Sequence, residues 1–432
     1  MKQTILSILI MLLPMMSSAV TIEIDGINYN LITNGNIAEV KSKSSGHYSG
    51  DVVIPSVVTY NKVDYEVTSI AQSAFSYCSS LTSISLPNSL TTIGTSAFID
   101  CTSLKSVIIP NSVTEIGGLA FSGCKGLTSV DLGSGVTSIG KSAFNSCNSL
   151  IAIIIPGSVN SIGQSAFYGC SKLTSIIIPN SVTLLGKSAF GLCKGLKSVE
   201  LGTGLTSIDE NTFYECSSLE SVLIPNSVTS IGFGAFNYCY NLLSISLPNS
   251  VTDIGDHAFN DCKGLTSVDF GSGVTSIGKN AFNTCSSLTS IIIPGSVTNI
   301  GSSAFYNCAK LENVYCLAEK LSIESTDNEG MYTNPNAFSS SYPENILLHV
   351  LEPYIEEYGA VEPWKDFKNI VGHVLGDANG DKKVNVADIV EVINYIKNTP
   401  SEMFDKFSAD VNHDNKVNED DVLLIANIIM KN

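Results

Sequence analysis

The sequence predicts a solenoid of short repeats followed by a small all-helical module, and three observations carry that reading. Cys78, Cys101, Cys124, Cys147, Cys170, Cys193, Cys216, Cys239, Cys262, Cys285 and Cys308 recur every 23 residues without insertion or deletion. The units follow Leu-x-x-Ile-x-Ile-Pro-x-Ser-Val-Thr-x-Ile-Gly-x-x-Ala-Phe-x-x-Cys, seen over 173–193 with Leu185 in place of the Ile before Gly. Two segments, 377–388 and 410–421, place oxygen-bearing side chains at alternating positions and run into apolar-periodic stretches at 389–396 and 422–429. A strict period between about 20 and 50 residues marks units that bury their apolar face only against their neighbours, so the length of the chain does not count domains.

Within a unit, Ile-x-Ile alternates as a short strand and Pro or Gly ends it. Ala-Phe-x-x-Cys is then expected to turn the chain back through a tight, partly helical corner. Leu, Ile, Val, Ala, Phe and Cys recur in register and predict continuous interior stacks. Ser175 and Ile177, flanking the inward Ile176, face outward. One outward position carries Ser in nearly every unit. Two residues on, Ser85, Ile108, Asp131, Ile154, Ile177, Glu200, Leu223, Ser246, Asp269 and Ile292 form a ribbon of aliphatic and acidic residues. Contiguous exposed aliphatics suggest a docking surface; the copying of β-branched strand formers from unit to unit explains them as well.

A longer period is superposed. Cys-Lys-Gly-Leu at Cys124, Cys193 and Cys262 recurs with Asp131, Glu200 and Asp269, which points to triplication of a three-unit block. Three rungs would separate these carboxylates by about 14 Å, wider than the roughly 5–9.5 Å between the carboxyls of a glycosidase. They are not a catalytic pair. The five histidines lie far apart in unlike contexts and no nucleophile motif appears, so an enzyme is not expected. A net charge of −17 with no Arg argues against nucleic-acid partners.

Residues 1–19 combine Lys2, the apolar run 5–16 and Ser17-Ser18-Ala19, the pattern of a secretory signal peptide. The rival reading, an uncleaved anchor, meets a run shorter than the ~20 residues of a spanning helix. Export would favour disulfides among the twelve cysteines. Stacked rungs instead point neighbouring thiols in parallel, with Cβ atoms about 4.8 Å apart against the ~3.8 Å of a bridge. The cysteines therefore read as buried thiols acting as small apolar residues, and no CxxC pair suggests zinc. Residues 20–66, with hairpin signals at Asp25-Gly26 and Asn61-Lys62, read as an N-terminal β cap, and 67–316 as the repeats. Ala337-Phe338 reads as a degenerate twelfth unit, Glu362 to Ile370 as a C-terminal cap within 317–372, and Cys316 as core.

The Ile-Pro, Ile-Gly, Ala-Phe and Cys punctuation resembles the BspA-type leucine-rich repeats of bacterial surface proteins. The resemblance implies a leucine-rich-repeat solenoid with a parallel β-sheet on one face and short turns or helical corners on the other. Residues 373–432 differ in kind. Asp377, Asn379, Asp381, Asn385 and Asp388, and Asp410, Asn412, Asp414, Asn418 and Asp421, occupy positions 1, 3, 5, 9 and 12 of two loops, with the carbonyls of Lys383 and Lys416 at position 7. Ca²⁺ takes six to eight oxygens, and this alternation curls them around one point. The pair is similar to a type I dockerin, which implies two calcium ions and docking to a cohesin-like partner. At position 6, usually Gly, Lys382 carries a left-handed penalty of about 1 kcal/mol. Positions 10 and 11, where that family often reads its partner, are Val386-Ala387 and Glu419-Asp420. The expected function is a secreted or cell-surface, non-catalytic binding protein whose repeats contact a host protein, a matrix protein or a glycan. The alternative is a carbohydrate-binding component of a polysaccharide-degrading assembly, against which the Ser and Ile strand face, lacking aromatics, counts.

Overall fold

The computed structural model describes residues 19–317, 322–323, 337–360, 364–412 and 416–431. Residues 1–18 of the expected signal peptide, Glu362 and Pro363 of the expected C-terminal cap, and Asp414 lie outside them. The chain divides into two compact units, Met1–Val159 and Asn160–Asn432.

The first unit opens with Ala19–Ile24 and Ile27–Ile32, an antiparallel hairpin turning on Asp25 and Gly26, whose φ angles are 49° and 78°. Two positive φ angles at an Asp-Gly turn match the right-handed twist of the flanking strands. A second hairpin, Val57–Tyr60 with Val63–Ile70, turns on Asn61 and Lys62 in the same way. Tyr48, its ring centroid 4.6 Å from that of Phe75, covers the first phenylalanine of the repeats. Two parallel ladders follow. Ser106–Ile108, Ser129–Asp131 and Ala152–Ile153 pair at the expected strand. Thr92–Ile93, Glu115–Ile116 and Ser138–Ile139 pair at the Thr-x-Ile step. The second ladder was not expected, because two-residue strands are too short for alternation to reveal.

The second unit repeats this plan, with Ser175–Ile177, Ser198–Glu200 and Ser221–Leu223 in parallel register. It ends in a four-stranded parallel sheet of Ser290–Ile293, Asn313–Cys316, Leu347–Leu351 and Asn369–His373. Among the described residues the α-helices are α1, Ile355–Ala360; α2, Val386–Ile396; α3, Lys406–Ala409; and α4, Glu419–Lys431.

The corner after Ile-Gly is not helical. In one copy, the N–H groups of Asn211, Phe213 and Glu215 donate to the carbonyls of Phe233, Ala235 and Asn237 in the next turn, each at 2.8 Å. Those of Thr212, Tyr214 and Cys216 donate back to Asp209, Asn211 and Phe213 in their own turn. A helix would spend every N–H inside its own segment and leave this side of the stack without cross-turn bonds. The alternation is made by two left-handed residues four apart, Asn211 (φ 55°) and Glu215 (φ 52°), and the same pair recurs as Ser188 and Leu192 or His257 and Asp261.

The corner also builds the interior. From Phe167 through Phe190, Phe213, Phe236, Phe259, Phe282 and Phe305 to Phe338, successive rings stack with centroids between 5.1 and 5.9 Å apart. Ala337-Phe338 thus occupies the next rung, and Trp364 and Phe367 pack on its ring. All twelve cysteines are buried thiols, none in a disulfide. Beyond acting as small apolar residues, they bond from turn to turn. The Cys216 thiol donates to the Phe190 carbonyl at 3.2 Å, and that oxygen also accepts the Cys193 N–H of its own turn. The same contact recurs at Cys193, Cys239, Cys262, Cys285 and Cys308. Burial pushes the thiols of Cys193, Cys216 and Cys239 far above their ordinary value, which denies them thiolate reactivity.

Denatured without reductant, the protein should release twelve thiols to a disulfide reagent, while the native protein releases almost none. In a urea titration, Phe236→Ala should destabilise by about 3–5 kcal/mol and Cys216→Ala by about 1–2 kcal/mol.

Candidate functional site

On the strand side of the first unit, Ile108 and Ile154 are 69% and 83% exposed, and Asp131 stands in register beside Ile108. In the second unit Ile177, Glu200 and Leu223 stand side by side, the two aliphatics 60% and 78% exposed. Two ribbon members behave differently. Asp269 is half-buried and accepts bonds from the Ser246 hydroxyl of the preceding turn (3.1 Å) and the Gly271 N–H of its own (3.0 Å), so it ties the two turns together. Ile292 lines a cavity of about 340 Å³ with Tyr315, Leu317, Phe404 and Phe407, which removes it from the open ribbon.

The two C-terminal loops have nearly the same hydrogen-bond plan. Asp388, fully buried, accepts the N–H groups of Asn379 (3.2 Å) and Asn385 (2.8 Å); Asp421, also fully buried, accepts those of Asn412 (3.3 Å) and Asn418 (2.9 Å). Asn385 and Asn418 in turn accept the N–H groups of Ala387 and Asp420 and start α2 and α4. Position 12 therefore both closes each loop and belongs to the first turn of the following helix. In the first loop Asp377 accepts the N–H groups of Asp381 and Lys382, Asp381 accepts that of Lys383, and Lys382 stands at φ 64° as the missing glycine requires. Burial raises the Asp377 carboxyl above its ordinary value, opposed by the Lys382 N–H and reinforced by the charges of Asp388 and Asp381. The charges of Asp388 and Asp381 thus lie close enough to Asp377 to disfavour its ionised form. Among the described residues no three His, Cys, Asp or Glu side chains stand together as a metal cluster. Three of the six oxygens in the loop pattern come instead from Asn amides and a backbone carbonyl, the neutral donors a hard cation accepts. Asp410 is buried at the start of the second loop, and Lys416 is exposed.

Ala378, Val392, Ala409, Val417 and Ile425 form the module's core and hold the loops against α2 and α4. Val386, Ala387, Glu419 and Asp420 are all exposed. Val390 (50% exposed) and Leu423 (64%) stand four residues on from Val386 and Glu419 and so on the same helix faces.

The module is seated on the last strands of the solenoid. Nδ1 of His349 lies 2.8 Å from Nε2 of His373, and Nδ1 of His373 lies 2.7 Å from Asp405, which caps α3. Nε2 of His349 faces the Asn313 amide at 3.1 Å. Tyr315 stacks on His349 at 4.2 Å and touches Phe407. These histidines read as unrelated in sequence; parallel pairing of Leu347–Leu351 with Asn369–His373 brings them together.

The BspA type leucine rich repeat model matches residues 68–197 and 206–334, and the dockerin type I domain model matches 375–430. The chain belongs to the BspA-type leucine-rich repeat proteins and ends in a dockerin type I domain, a calcium-binding module whose partner class is cohesin. A leucine-rich repeat protein from Bacteroides ovatus is 29% identical, with 82% of this chain and 99% of that one covered at a TM-score of 0.54. A leucine rich cell surface protein from Faecalibacterium prausnitzii is 28% identical, covering 74% and 94% at 0.47. The pneumococcal vaccine antigen PcpA is 18% identical, covering 83% and 99% at 0.46. No curated protein matches the chain. Neither domain family is catalytic, and no helix among the described residues is long and apolar enough to cross a membrane.

Burial, reinforced by His373, lowers His349 to about 4 from an ordinary 6.5. Burial works to raise Asp405, but its bonds from His373 and Ser408 outweigh that and hold it below the ordinary carboxyl value. A histidine held below its unfolded value stabilises the fold above pH 6.5 and loses that contribution as pH falls towards 4. Asp405 has the same sign, losing its contribution once it too is protonated. Lys406 and Asp410 line the adjoining cavity and add charges of opposite sign. The thermal midpoint of the full chain should therefore fall between pH 6.5 and 4, and His349→Gln should flatten that slope.

Proposed function

We propose that this is an exported, non-catalytic binding protein that presents its repeats to a host or matrix protein while its dockerin fixes it to a cohesin-like partner. The observation that carries the docking half is the shared closure of the two loops, Asp388 on Asn379 and Asn385 and Asp421 on Asn412 and Asn418. Two calcium ions fit this pattern. The first loop would hold its ion with Asp377, Asn379, Asp381, the Lys383 carbonyl, Asn385 and Asp388. The second would use Asp410, Asn412, Asp414, the Lys416 carbonyl, Asn418 and Asp421. The ions would neutralise carboxylates that otherwise repel, beside the Asn385 and Asn418 caps that start α2 and α4. Val386-Ala387 with Val390, and Glu419-Asp420 with Leu423, are the cohesin-facing residues; one helix offers aliphatics where the other offers acids, so the two halves present unlike faces. On the repeats, the open aliphatics Ile108, Ile154, Ile177 and Leu223, with Asp131 and Glu200 beside them, support contact with a protein. Export rests on the N-terminal apolar run, and the caps on the hairpins at Asp25-Gly26 and Asn61-Lys62 and on the packing of Trp364.

Calorimetric titration of the full chain with Ca²⁺ should give two sites, one abolished by Asp388→Ala and the other by Asp421→Ala. Lys382→Gly, which relieves a left-handed Lys, should tighten the first site about fivefold, the equivalent of roughly 1 kcal/mol. A chain that takes up no calcium at millimolar concentration would overturn the proposal.

A further inference from the structure

The outward strand positions from Thr82 to Ile292 carry no aromatic residue, but the turn side of the second unit does. Tyrosine occurs five times between Cys78 and Cys308, and four of the five, Tyr168, Tyr214, Tyr238 and Tyr240, gather there. The period explains why the sequence hides them. They fall at three different repeat positions: directly after Phe, directly before Cys and directly after Cys. Only the stacking of turns assembles them.

Three of the rings are in contact, and Tyr168 lies near them. Tyr214 and Tyr238 meet edge to face at 5.8 Å, and Tyr238 and Tyr240 are 6.0 Å apart. Tyr168 leans over the next turn, where Gly191 makes the room: a Cβ there would come within 2.8 Å of its ring. Tyr240 is 40% exposed, and Tyr168, Tyr214 and Tyr238 are half-buried, so part of each side chain reaches solvent. The phenol of Tyr214 is raised to about 12, by burial first and then by Glu215, with Tyr238 and Tyr168 contributing as near neighbours.

The rim is polar and electrically balanced. Asn260 donates to Asn237 at 2.9 Å and to Asp261 at 3.3 Å, next to the tyrosines in register. Glu215 pairs with Lys194 at 3.1 Å and Asp261 with Lys263 at 3.1 Å, while the Lys263 ammonium also sits 5.3 Å from the centre of the Tyr240 ring. A charged ligand would have to break these pairs. An uncharged, hydroxyl-rich ligand would find half-exposed aromatic rings with centroids 5.8 and 6.0 Å apart, turned 81° and 58° to one another, and amide and carboxylate groups at their edges.

We propose that Tyr168, Tyr214, Tyr238 and Tyr240, rimmed by Asn237 and Asn260, form a binding platform for an uncharged polysaccharide chain. This surface is separate from the strand face and from the dockerin. It adds a glycan ligand to the protein contacts proposed above without depending on them.

Affinity electrophoresis of the full chain in gels containing xylan, mixed-linkage β-glucan, galactomannan or starch, with polygalacturonate as the charged comparator, tests it. At least one uncharged polysaccharide should retard the protein. The double variant Tyr238→Asn and Tyr240→Ser, in which Asn suits the left-handed position of residue 238 (φ 62°), should weaken binding at least about tenfold with an unchanged thermal midpoint. Ile177→Ser with Leu223→Ser should bind as the parent does. Retardation by none of the four, stronger retardation by polygalacturonate, or full binding by the tyrosine variant would each overturn the proposal.

Discussion

Each 23-residue turn must deliver its Ala-Phe-x-x-Cys corner one strand spacing from the last copy, with alternate backbone donors aimed at the next turn. Everything else in the repeats depends on that corner. Its left-handed residues, Asn211 and Glu215 in one copy, divide the N–H groups between the turn's own carbonyls and those of its neighbour. The division fixes where Phe213 stands, and so the ring stack. It also leaves the Phe carbonyl open to a second donor, the thiol of the following turn's cysteine. An exact period with no insertions is what such a lattice demands, because one added residue would move every donor past its acceptor. Phe305 and Phe338 lie 33 residues apart in sequence rather than 23, and this longer step comes at the end of the ladder, where Trp364 and Phe367 pack on Phe338.

A rigid lattice turns single outward residues into surfaces. Ile177, Glu200 and Leu223 become neighbours because their strands pair in register, and tyrosines from different repeat positions become one patch because their corners stack. The dockerin is built on another economy. One carboxylate per loop, Asp388 or Asp421, joins loop closure to helix initiation, so the cation site and the helices that face a partner are set by the same atoms. Its attachment to the solenoid runs through His349, His373 and Asp405 rather than through a free linker, so the module is seated on the strands from which it leaves.

Much of this was legible in the sequence, wherever one residue type at one spacing has one structural meaning. Asp25-Gly26 and Asn61-Lys62 turn as hairpins, the cysteines mark the rungs, and the loop residues at alternating positions close on position 12. The unread parts have physical causes. The corner was expected to be partly helical because Ala-Phe-x-x-Cys has helical spacing, whereas Ser, Leu, His and Glu at its left-handed positions give no glycine signal. The two-residue Thr-x-Ile strands are below the length at which alternation shows. The histidine contact and the tyrosine patch are products of register between distant turns, which a repeat consensus averages away.

Residue-resolved hydrogen exchange on the corner amides tests the lattice most directly. If the corner is hydrogen-bonded from turn to turn, the amides of Asn211, Phe213 and Glu215 should exchange as slowly as those of the strands at Ser198–Glu200 and Ser221–Leu223. Exchange of those corner amides at the rate of unstructured peptide, with the strand amides still protected, would contradict it.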